Sequence, residues 1–407
     1  MAVDVSRSRI ADPSLAPAGE QRIAWVARHS PVLNGLARAR LADGALRGHR
    51  VAVVVHLEAK TAYLASLLAE AGAEVVAAGS NPGTTQDAAA AALVARGIEV
   101  HATHGASPDE FVGDLLAAAD AEPDIVVDDG AELTARILDH RPEVAARLRG
   151  VTEETTTGVA RLRALEAAGR LPCPAVAAND AACKHLYDNR YGTGQTTVEA
   201  ILRLTNLLAA GKELCVVGYG WVGRGVARYA AGNGARVTVV EIDPVKALEA
   251  YMDGHRVAGV EAFADADVVV TATGGVGVLG RGALALLKDG AVLANAGHDD
   301  REIDVEALGP GEEVRPGVTR HELGGGRHVY LLVQGRLVNI AGGDGHPVEI
   351  MDLSFSVQAL AAHLLASVEL PPGVQPFPEE LDREIARTKL ASLGVTLSGS
   401  TPEPGIS

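Results

Sequence analysis

A lysine and an aspartate four residues apart, Lys184 and Asp188, stand in an unusually polar stretch of the sequence. On a helix, this spacing would place both side chains on one face. A glycine-rich loop begins soon afterwards, at Gly218, directly behind an apolar run. Such a loop lets the backbone approach the pyrophosphate of a dinucleotide. A nicotinamide held beside a Lys/Asp pair would allow temporary oxidation of a substrate hydroxyl. A surface ion pair is the competing interpretation, but the nearby Asn179 and Asn189 favour a site.

The loop and the strand predicted after it indicate NAD as the cofactor. The glycines permit a tight turn, and the helix that follows offers its N-terminus to the pyrophosphate. Glu241 ends the next predicted strand. An acid there binds the ribose diol of NAD and repels the extra phosphate of NADP. The loop residues expected at the cofactor are Gly218, Gly220, Trp221, Val222 and Gly223.

Composition narrows the class of protein. A chain of 407 residues favours two domains. Its residues are 47% hydrophobic but only 3% aromatic, which suits parallel strands buried on both faces. The net charge of −16 argues against nucleic acid as a partner. No apolar run is long enough for a membrane span, so no membrane partner is expected.

The cysteines bear on metal binding and cell compartment. The chain has three, at positions 173, 183 and 215, and none forms a CxxC pair. We therefore expect no metal site. A sparse, odd number of cysteines is typical of reduced thiols in the cytoplasm, which is the predicted localisation.

Strands alternating with helices predict an α/β fold. In the first half, His56 follows the apolar run 51–55 and Asp129 follows the run 124–127. Ligands of open α/β sheets bind beyond the carboxyl ends of the strands, so these two side chains are expected to face one crevice. Further elements predicted in the second half are a helix over 196–209, strands over 214–217, 236–240, 268–271 and 291–294, paired strands over 327–333 and 336–340, and a helix over 350–369.

These elements predict two doubly wound domains, a substrate-binding α/β domain and an inserted Rossmann NAD-binding domain. The substrate-binding domain is expected over 1–184 and again over 342–371. The NAD-binding domain is expected over 185–341. Residues 372–407 are expected to form a C-terminal tail, whose last residues, rich in Pro, Gly and Ser, are expected to be frayed.

Several runs together resemble the S-adenosylhomocysteine hydrolase family, and the likeness extends from Asp12 to about residue 395. By itself the run of two acids and four threonines at 151–158 could be a solvated loop. The runs that carry the resemblance are Ser80-Asn81 with 85–87, 128–130, 151–158, 179–191, 218–225 with 241–244, 295–298, and Asn339 with 345–347.

The resemblance implies a mechanism in which bound NAD oxidises the ribose 3′ carbon and later restores it. Lys184 and Asp188 would bind the 3′-OH and take its proton, and Glu154 would hold the 2′-OH. Asp129 would handle the C4′ proton, and His56 and His298 would lie near the group leaving C5′. The other cofactor contacts implied are Thr155, Thr156, Thr157, Asn189 and Asn339. His346 is implied beside the cofactor and the nucleoside base, and Met351 and Phe355 in the base pocket.

The sequence also departs from the family pattern. Glu58 replaces a small hydroxyl near the sugar, and Lys60 replaces the side chain that reads the adenine amino group. Thr193 replaces the family cysteine near the nicotinamide, and the usual Lys…Tyr tail is not found. The redox residues are kept while the substrate-reading positions have changed. We therefore expect a divergent nucleoside lyase that performs a net dehydration and forms an exocyclic alkene, as in the nucleoside antibiotic angustmycin A (decoyinine).

Other functions remain open at this point. The main alternative is hydrolysis of S-adenosylhomocysteine to adenosine and homocysteine. A non-catalytic regulator that binds NAD or a nucleoside is a minor alternative, because the catalytic residues are present. A 2-hydroxy-acid dehydrogenase is poorly supported, since its Arg/His/acid set is not found. The expected partners are a small nucleoside substrate and further copies of the chain, as a tetramer or dimer.

Overall fold

The computed structural model describes residues 5–298 and 300–397 and shows an α/β protein. The chain divides into two compact units. The first contains the described residues up to Lys184 and again from Met351 onward. The second runs from His185 to Ile350, so it extends past the return expected at residue 342.

The strands form one sheet in each unit. Their bounds are β1 Arg50–Val55, β2 Glu74–Gly79, β3 Glu99–His101, β4 Ile125–Asp128, β5 Gly150–Glu153, β6 Pro174–Ala177, β7 Glu213–Val217, β8 Arg236–Val240, β9 Arg256–Ala258, β10 Val268–Thr271, β11 Ala291–Asn295, β12 Gly311–Arg315, β13 Val318–Gly324, β14 Arg327–Leu332 and β15 Gly373–Pro376.

Most strands are followed by a helix. The α-helices are α1 Ala16–Arg28, α2 Arg38–Leu41, α3 Ala59–Glu70, α4 Asp87–Ala95, α5 Pro108–Asp120, α6 Glu132–His140, α7 Pro142–Ala145, α8 Thr156–Ala167, α9 Ala182–Lys184, α10 Thr193–Thr205, α11 Trp221–Gly232, α12 Pro244–Met252, α13 Arg281–Leu286, α14 Val305–Leu308, α15 Val338–Ala341, α16 Val348–Ser367 and α17 Glu379–Ser392. Wider π-helical turns cover Leu33–Ala37 and His185–Gly192, and 3₁₀ turns cover Val5–Arg7, Pro13–Leu15, Pro82–Thr84, Ala178–Asp180, Val260–Ala264 and Val333–Gly335.

The sheet of the first unit is parallel and has the strand order β15-β6-β5-β4-β1-β2-β3. The run Val51–Val55 is completely buried, as its apolar sequence predicts for a central parallel strand. From β1 the chain first adds β2 and β3 on one side and then β4 to β6 on the other. The order therefore reverses between β1 and β4, which is where such sheets bind ligands.

The sheet of the second unit has the order β12-β13-β14-β11-β10-β7-β8-β9. Its strands from β14 to β9 are parallel, whereas β13 and β12 add an antiparallel edge. The order reverses between β7 and β10, so the glycine loop after β7 lies at the switch point. The predicted fold class, α/β with a Rossmann domain, is confirmed.

Two predictions about individual elements are wrong. Residues 336–340 do not form a strand, because Val333 and Gln334 take left-handed conformations (φ 41° and 58°) that turn the chain out of the sheet. The helix predicted over 196–209 ends at Thr205, since Asn206 is left-handed (φ 56°). The described part of the C-terminal tail contains β15 and α17, and residues 398–407 lie outside the described residues.

One described helix, α16, has the length and composition of a membrane span. However, 72% of its most apolar window is buried inside the protein. It packs as a core helix of the first unit, and it carries the polar residues Asp352, Ser354 and Gln358 in fully buried positions.

Candidate functional site

The switch point of the first unit brings three polar side chains together. His56 follows β1, Ser80 follows β2 and Asp129 follows β4. Asp129 Oδ2 accepts a hydrogen bond from Ser80 Oγ at 2.7 Å and lies 3.5 Å from His56 Nε2. The other ring nitrogen of His56, Nδ1, lies 2.7 Å from Thr84 Oγ1. A carboxylate paired with an imidazole in this way can exchange protons with a bound ligand.

Two further carboxylates lie directly beneath this group, at paired positions of β4 and β5. Asp128 accepts from the backbone N–H of Leu133 and from both the N–H and hydroxyl of Thr134, which fixes the start of α6. Burial raises the pKa of Asp128 to about 6. Burial, and then the charges of Asp128 and Asp129, raise the pKa of Glu153 to about 8.

Glu154 and Lys184 form a second buried group in the same unit. Lys184 Nζ lies 3.7 Å from Glu154 Oε1, and both residues are at most 5% exposed. Gln358 of α16 donates from Nε2 to Glu154 Oε2 at 2.6 Å. The amide oxygen of Gln358 in turn accepts from the hydroxyl of Thr152 at 2.6 Å. A bound diol would find an acceptor and a donor here, each held in place by packed neighbours.

The short helix that carries Lys184 is anchored by the C-terminal helix. The Asp382 carboxylate accepts from the N–H groups of Ala182, at 2.7 Å, and Cys183, at 2.9 Å. The Cys183 thiol donates to the carbonyl of Asp382 at 3.2 Å. Asp382 therefore caps this turn as an N-cap aspartate does.

Two of the residues that depart from the family pattern, Glu58 and Lys60, form an ion pair with each other. Lys60 Nζ lies 2.9 Å from Glu58 Oε2, and that oxygen also accepts from the Lys60 N–H as the cap of α3. Both side chains are buried, at 5% and 6% exposure. Each charge is thus compensated by the other.

The remaining sequence-predicted residues of this unit lie on two helices. Thr155 is the N-cap of α8, and Thr156 and Thr157 are exposed in its first turn. Met351 and Phe355 are buried in α16.

In the second unit, the glycine loop has the geometry expected for a dinucleotide. Gly218 is left-handed (φ 95°), and a Cβ there would press on the carbonyl of Ala272. A Cβ at Gly223 would overlap the carbonyl oxygen of Gly218, whereas Gly220 faces open space at the N-cap of α11. Trp221 and Val222 are half-buried in the first turn of that helix. The N-terminus of α11 is therefore open to a pyrophosphate.

Glu241 ties the end of β8 to this loop. Its Oε2 accepts from the N–H of Tyr219 at 2.6 Å, and its Oε1 accepts from Ile242 and Asp243 at 2.7 Å and 3.0 Å. Each carboxylate oxygen has two lone pairs, so acceptor capacity remains for a ribose hydroxyl. The glutamate is positioned at the place that the sequence predicted.

Polar side chains also surround Asp188 in the second unit. His346 Nδ1 lies 2.9 Å from Asp188 Oδ1, and His346 Nε2 lies 2.9 Å from the hydroxyl of Thr193. The structure thus gives His346 a role in orienting Asp188, which the sequence did not indicate. Asn189 is half-buried in the same π-helical segment.

Asn295 shapes the turn before His298. Its amide oxygen accepts from Gly297 N–H at 2.8 Å, and its amide nitrogen donates to the Gly335 carbonyl at 3.1 Å. His298 is half-buried at the end of this turn.

The residues present fit a nicotinamide dinucleotide. Asn339 is fully buried and donates to Thr196 Oγ1 at 3.1 Å, but its amide oxygen has no hydrogen-bond partner among the described residues. A buried acceptor of this kind is expected to bond a ligand. The carboxamide of a nicotinamide supplies the matching donor.

Sequence reasoning missed five supporting residues. Gln358 could have been found as an amide in an otherwise apolar helix, and Glu153 as one of two adjacent acids after a strand. Asp128 bonds Leu133 and Thr134, which follow it by five and six residues, so the run 128–130 could have indicated its role. Ser80 and Asp382 act through contacts between residues distant in sequence, so no local pattern identifies their partners.

The raised pKa values of Asp128 and Glu153 predict how stability depends on pH. The folded protein keeps protons on these carboxyls to a higher pH than the unfolded chain does. Their contribution to stability is therefore complete below about pH 4 and is lost as the pH rises towards 8.

We expect the temperature midpoint of thermal unfolding to decrease as the pH is raised from 5 to 8, and to decrease less steeply in Glu153→Gln. Equal slopes in both proteins would contradict the assignment. Glu132→Gln, which alters a half-exposed ion pair, is the control.

Comparison with known proteins agrees with this geometry. Residues 7–143 match the family model for S-adenosyl-L-homocysteine hydrolase, and residues 189–345 match the model for its NAD-binding domain. An adenosylhomocysteinase of Thermotoga maritima is 51% identical over 393 residues, which is 94% of this chain and 96% of that protein. An adenosylhomocysteinase of Thermococcus kodakarensis is 48% identical, over 97% of this chain and 95% of that protein. An S-inosyl-L-homocysteine hydrolase of Methanopyrus kandleri is also 48% identical, over 97% and 95%.

The matches extend over both units, and they place the NAD-binding model on the unit that holds the glycine loop and Glu241. NAD is thus confirmed as the cofactor, and the protein is confirmed as an enzyme. The identity to each relative is high along nearly the full length of both chains. This chain belongs to the S-adenosyl-L-homocysteine hydrolase family.

Proposed function

We propose that this protein hydrolyses an S-nucleosyl-L-homocysteine to a nucleoside and homocysteine. The observation that carries the proposal is the buried Glu154–Lys184–Gln358 group, which suits a ribose diol, beside the Asp129–His56–Ser80 group. The names of the relatives support it, since they are adenosylhomocysteinases and an S-inosyl-L-homocysteine hydrolase.

The chain's own residues divide the steps among them. Lys184 and Asp188 bind the 3′-OH and remove its proton, while Glu154 holds the 2′-OH. NAD, when bound, would supply both the acceptor for the 3′ hydride and the donor for its return. Asp129 takes the C4′ proton that the 3′ ketone acidifies, and His56 and His298 serve the leaving thiolate and the entering water. The cofactor contacts proposed are Thr155, Thr156, Thr157, Asn189, Gly218, Gly220, Trp221, Val222, Gly223, Glu241, Asn339 and His346.

Hydrolysis is favoured over the dehydration that the sequence predicted. None of the relatives described above is named a dehydratase or lyase. The dehydration hypothesis also needed Glu58 to bind an extra substrate hydroxymethyl. In the structure that carboxylate is already bonded to Lys60 and to the start of α3. The departure that suggested a new reaction is therefore better explained as a change in how the substrate is read.

The base of the nucleoside is the second question. We propose that the Glu58–Lys60 pair reads the six-position of a purine, because Lys60 stands where the family reads the adenine amino group. Lysine is a donor only, whereas the glutamate is an acceptor. Lys60, which Glu58 holds in place, suits the six-oxo group of hypoxanthine. The pair would therefore accept hypoxanthine more readily than adenine, and Met351 and Phe355 would pack against the ring.

The thiols agree with a reducing compartment. Cys173, Cys183 and Cys215 are described as buried and free. Burial raises the pKa of Cys173 and of Cys215 to about 12, so neither is a reactive thiolate at neutral pH. Cytoplasmic localisation and assembly into a homo-oligomer stay predictions.

Mass spectrometry of the products tests the proposed function. The purified protein is mixed separately with S-adenosyl-L-homocysteine and S-inosyl-L-homocysteine, without added oxidant. We expect adenosine or inosine together with homocysteine, and no free NADH. A nucleoside product 18 Da lighter than the hydrolysis product would show elimination without hydration and would restore the dehydration hypothesis. Stoichiometric release of NADH would indicate an ordinary dehydrogenase.

Substituting the residues proposed to bind the 3′-OH should slow the oxidation step itself. We expect Lys184→Ala and Asp188→Ala each to slow NADH formation on the enzyme by about 10²–10⁴-fold, which is the usual contribution of a general base. The measurement is the absorbance of bound NADH after substrate is added. Asp180→Asn, in the same polar stretch but paired at the surface with Arg163, is the matched control and should react at the normal rate. Normal rates in both alanine variants would remove them from the site.

Replacing the Glu58–Lys60 pair should change the preferred base. In Glu58→Thr/Lys60→Gln, both charges are removed together, so neither is left buried alone. Glutamine at position 60 can accept a hydrogen bond from a six-amino group, whereas lysine can only donate and leaves that group unpaired. An unmade hydrogen bond in a buried site costs about 1–3 kcal/mol. We expect the ratio of kcat/KM for S-adenosyl- over S-inosyl-homocysteine to rise at least about tenfold. An unchanged ratio would show that the pair does not contact the base.

A further inference from the structure

Glu153 connects the two turns that carry Asp129 and Glu154. It ends β5 and is fully buried. Its Oε1 accepts from the N–H of Gly130, at 2.9 Å, and from the N–H and hydroxyl of Thr155, each at 2.9 Å. Its Oε2 accepts from the N–H of Ala131 at 2.9 Å. One carboxylate therefore holds the residues that directly follow Asp129 and Glu154.

The turn after Asp129 has an unfavourable backbone that needs such a partner. Gly130 and Ala131 are both left-handed (φ 75° and 53°), and alanine rarely adopts this conformation. Residues in such conformations persist only where the surrounding structure holds them. Two successive N–H groups turned to one side form a concave anion site, and the Glu153 carboxylate occupies it.

The neighbouring residues leave space for the Glu153 carboxylate and do not compete with it for the N–H groups of the turn. A Cβ at Gly158 would overlap the Glu153 carboxylate, so the glycine permits its position. Asp128, on the adjacent strand, bonds Leu133 and Thr134 instead and fixes the helix after the turn. The charged groups facing Glu153 are Asp128 and Asp129.

We infer that Glu153 is a positioning residue that sets Asp129 against the C4′ hydrogen of the nucleoside. The inference rests on the proposed function, because that function makes Asp129 the group that removes the C4′ proton. Glu153 touches neither substrate nor cofactor in this account. It acts by holding the Gly130–Ala131 turn, and therefore it should affect C4′ proton transfer more than 3′ oxidation.

The test compares two partial reactions of the same protein with S-adenosyl-L-homocysteine in D₂O. One is the formation of bound NADH, and the other is deuterium incorporation at C4′. In Glu153→Gln, we expect the ratio of C4′ exchange to NADH formation to fall by about 10²-fold, the usual effect of a misplacement near 1 Å. Glu153→Asp keeps the carboxyl group but is shorter, so it should show the same defect and serves if the glutamine variant does not fold. Asp139→Asn, which lies in α6 and alters a surface ion pair with Arg170, is the control and should leave the ratio unchanged.

A second substitution tests the cause. Glycine adopts left-handed conformations without strain, so Ala131→Gly should partly restore the ratio in the Glu153→Gln background. It should also recover part of the lost thermal stability, a measurement that needs no substrate. A loss of overall activity with an unchanged ratio, or no recovery with glycine, would overturn the inference. A wild-type protein that forms no NADH with S-adenosyl- or S-inosyl-homocysteine would instead refute the proposed function, and the stability measurement would still decide the role of Glu153 at the turn.

Discussion

Carboxylates buried at the carboxyl ends of β4 and β5 are the constraint on which the first unit depends. Asp128 and Glu153 are fully buried at paired positions, where an ionised carboxylate is costly unless it is well hydrogen-bonded. Backbone N–H groups and threonine hydroxyls supply those bonds. These bonds also fix the turns that provide the donors, and those turns carry Asp129 and Glu154. The positions of the polar site residues therefore depend on the buried carboxylates of the sheet.

The second unit depends on a different constraint, which is that the backbone must approach a pyrophosphate closely. Glycine at positions 218 and 223 is required by close contacts with neighbouring carbonyl groups, and Glu241 joins the loop to the next strand through three N–H groups. The buried amide oxygen of Asn339 has no hydrogen-bond partner in the described part of the chain, which suits a ligand donor at this place. The unit is therefore arranged for NAD before any substrate is considered.

Local patterns predicted much of this architecture. The central strands and the glycine loop were predicted within a residue or two, because uninterrupted Val/Ile/Leu runs and glycine spacing report directly on burial and turns. The helix end at Thr205 was missed because Leu207 and Leu208 continue the apolar period, although they are 51% and 72% exposed. A strand was wrongly predicted at 336–340, because no composition signal reveals the left-handed conformations of Val333 and Gln334.

In the candidate site, too, local patterns predicted the positions of some residues but not the contacts that orient them. The residues expected at strand ends lie there, since the carboxyl ends of parallel strands meet at one edge. The sequence did not predict the partners that orient them. Gln358 lies 204 positions from Glu154, and Asp382 lies 200 positions from Ala182. The sequence did not predict the pairing of Glu58 with Lys60 either, because that pairing depends on the start of a helix.

The central claim is that one ribose carbon is oxidised and then reduced again by the same bound cofactor. The most direct measurement uses S-adenosyl-L-homocysteine deuterated at C3′, turned over in ordinary water, with the deuterium located in the nucleoside product by NMR. The account predicts that adenosine keeps deuterium at C3′, because the hydride that leaves is the one that returns. Adenosine that has lost its C3′ deuterium to free NADH or to solvent would contradict it.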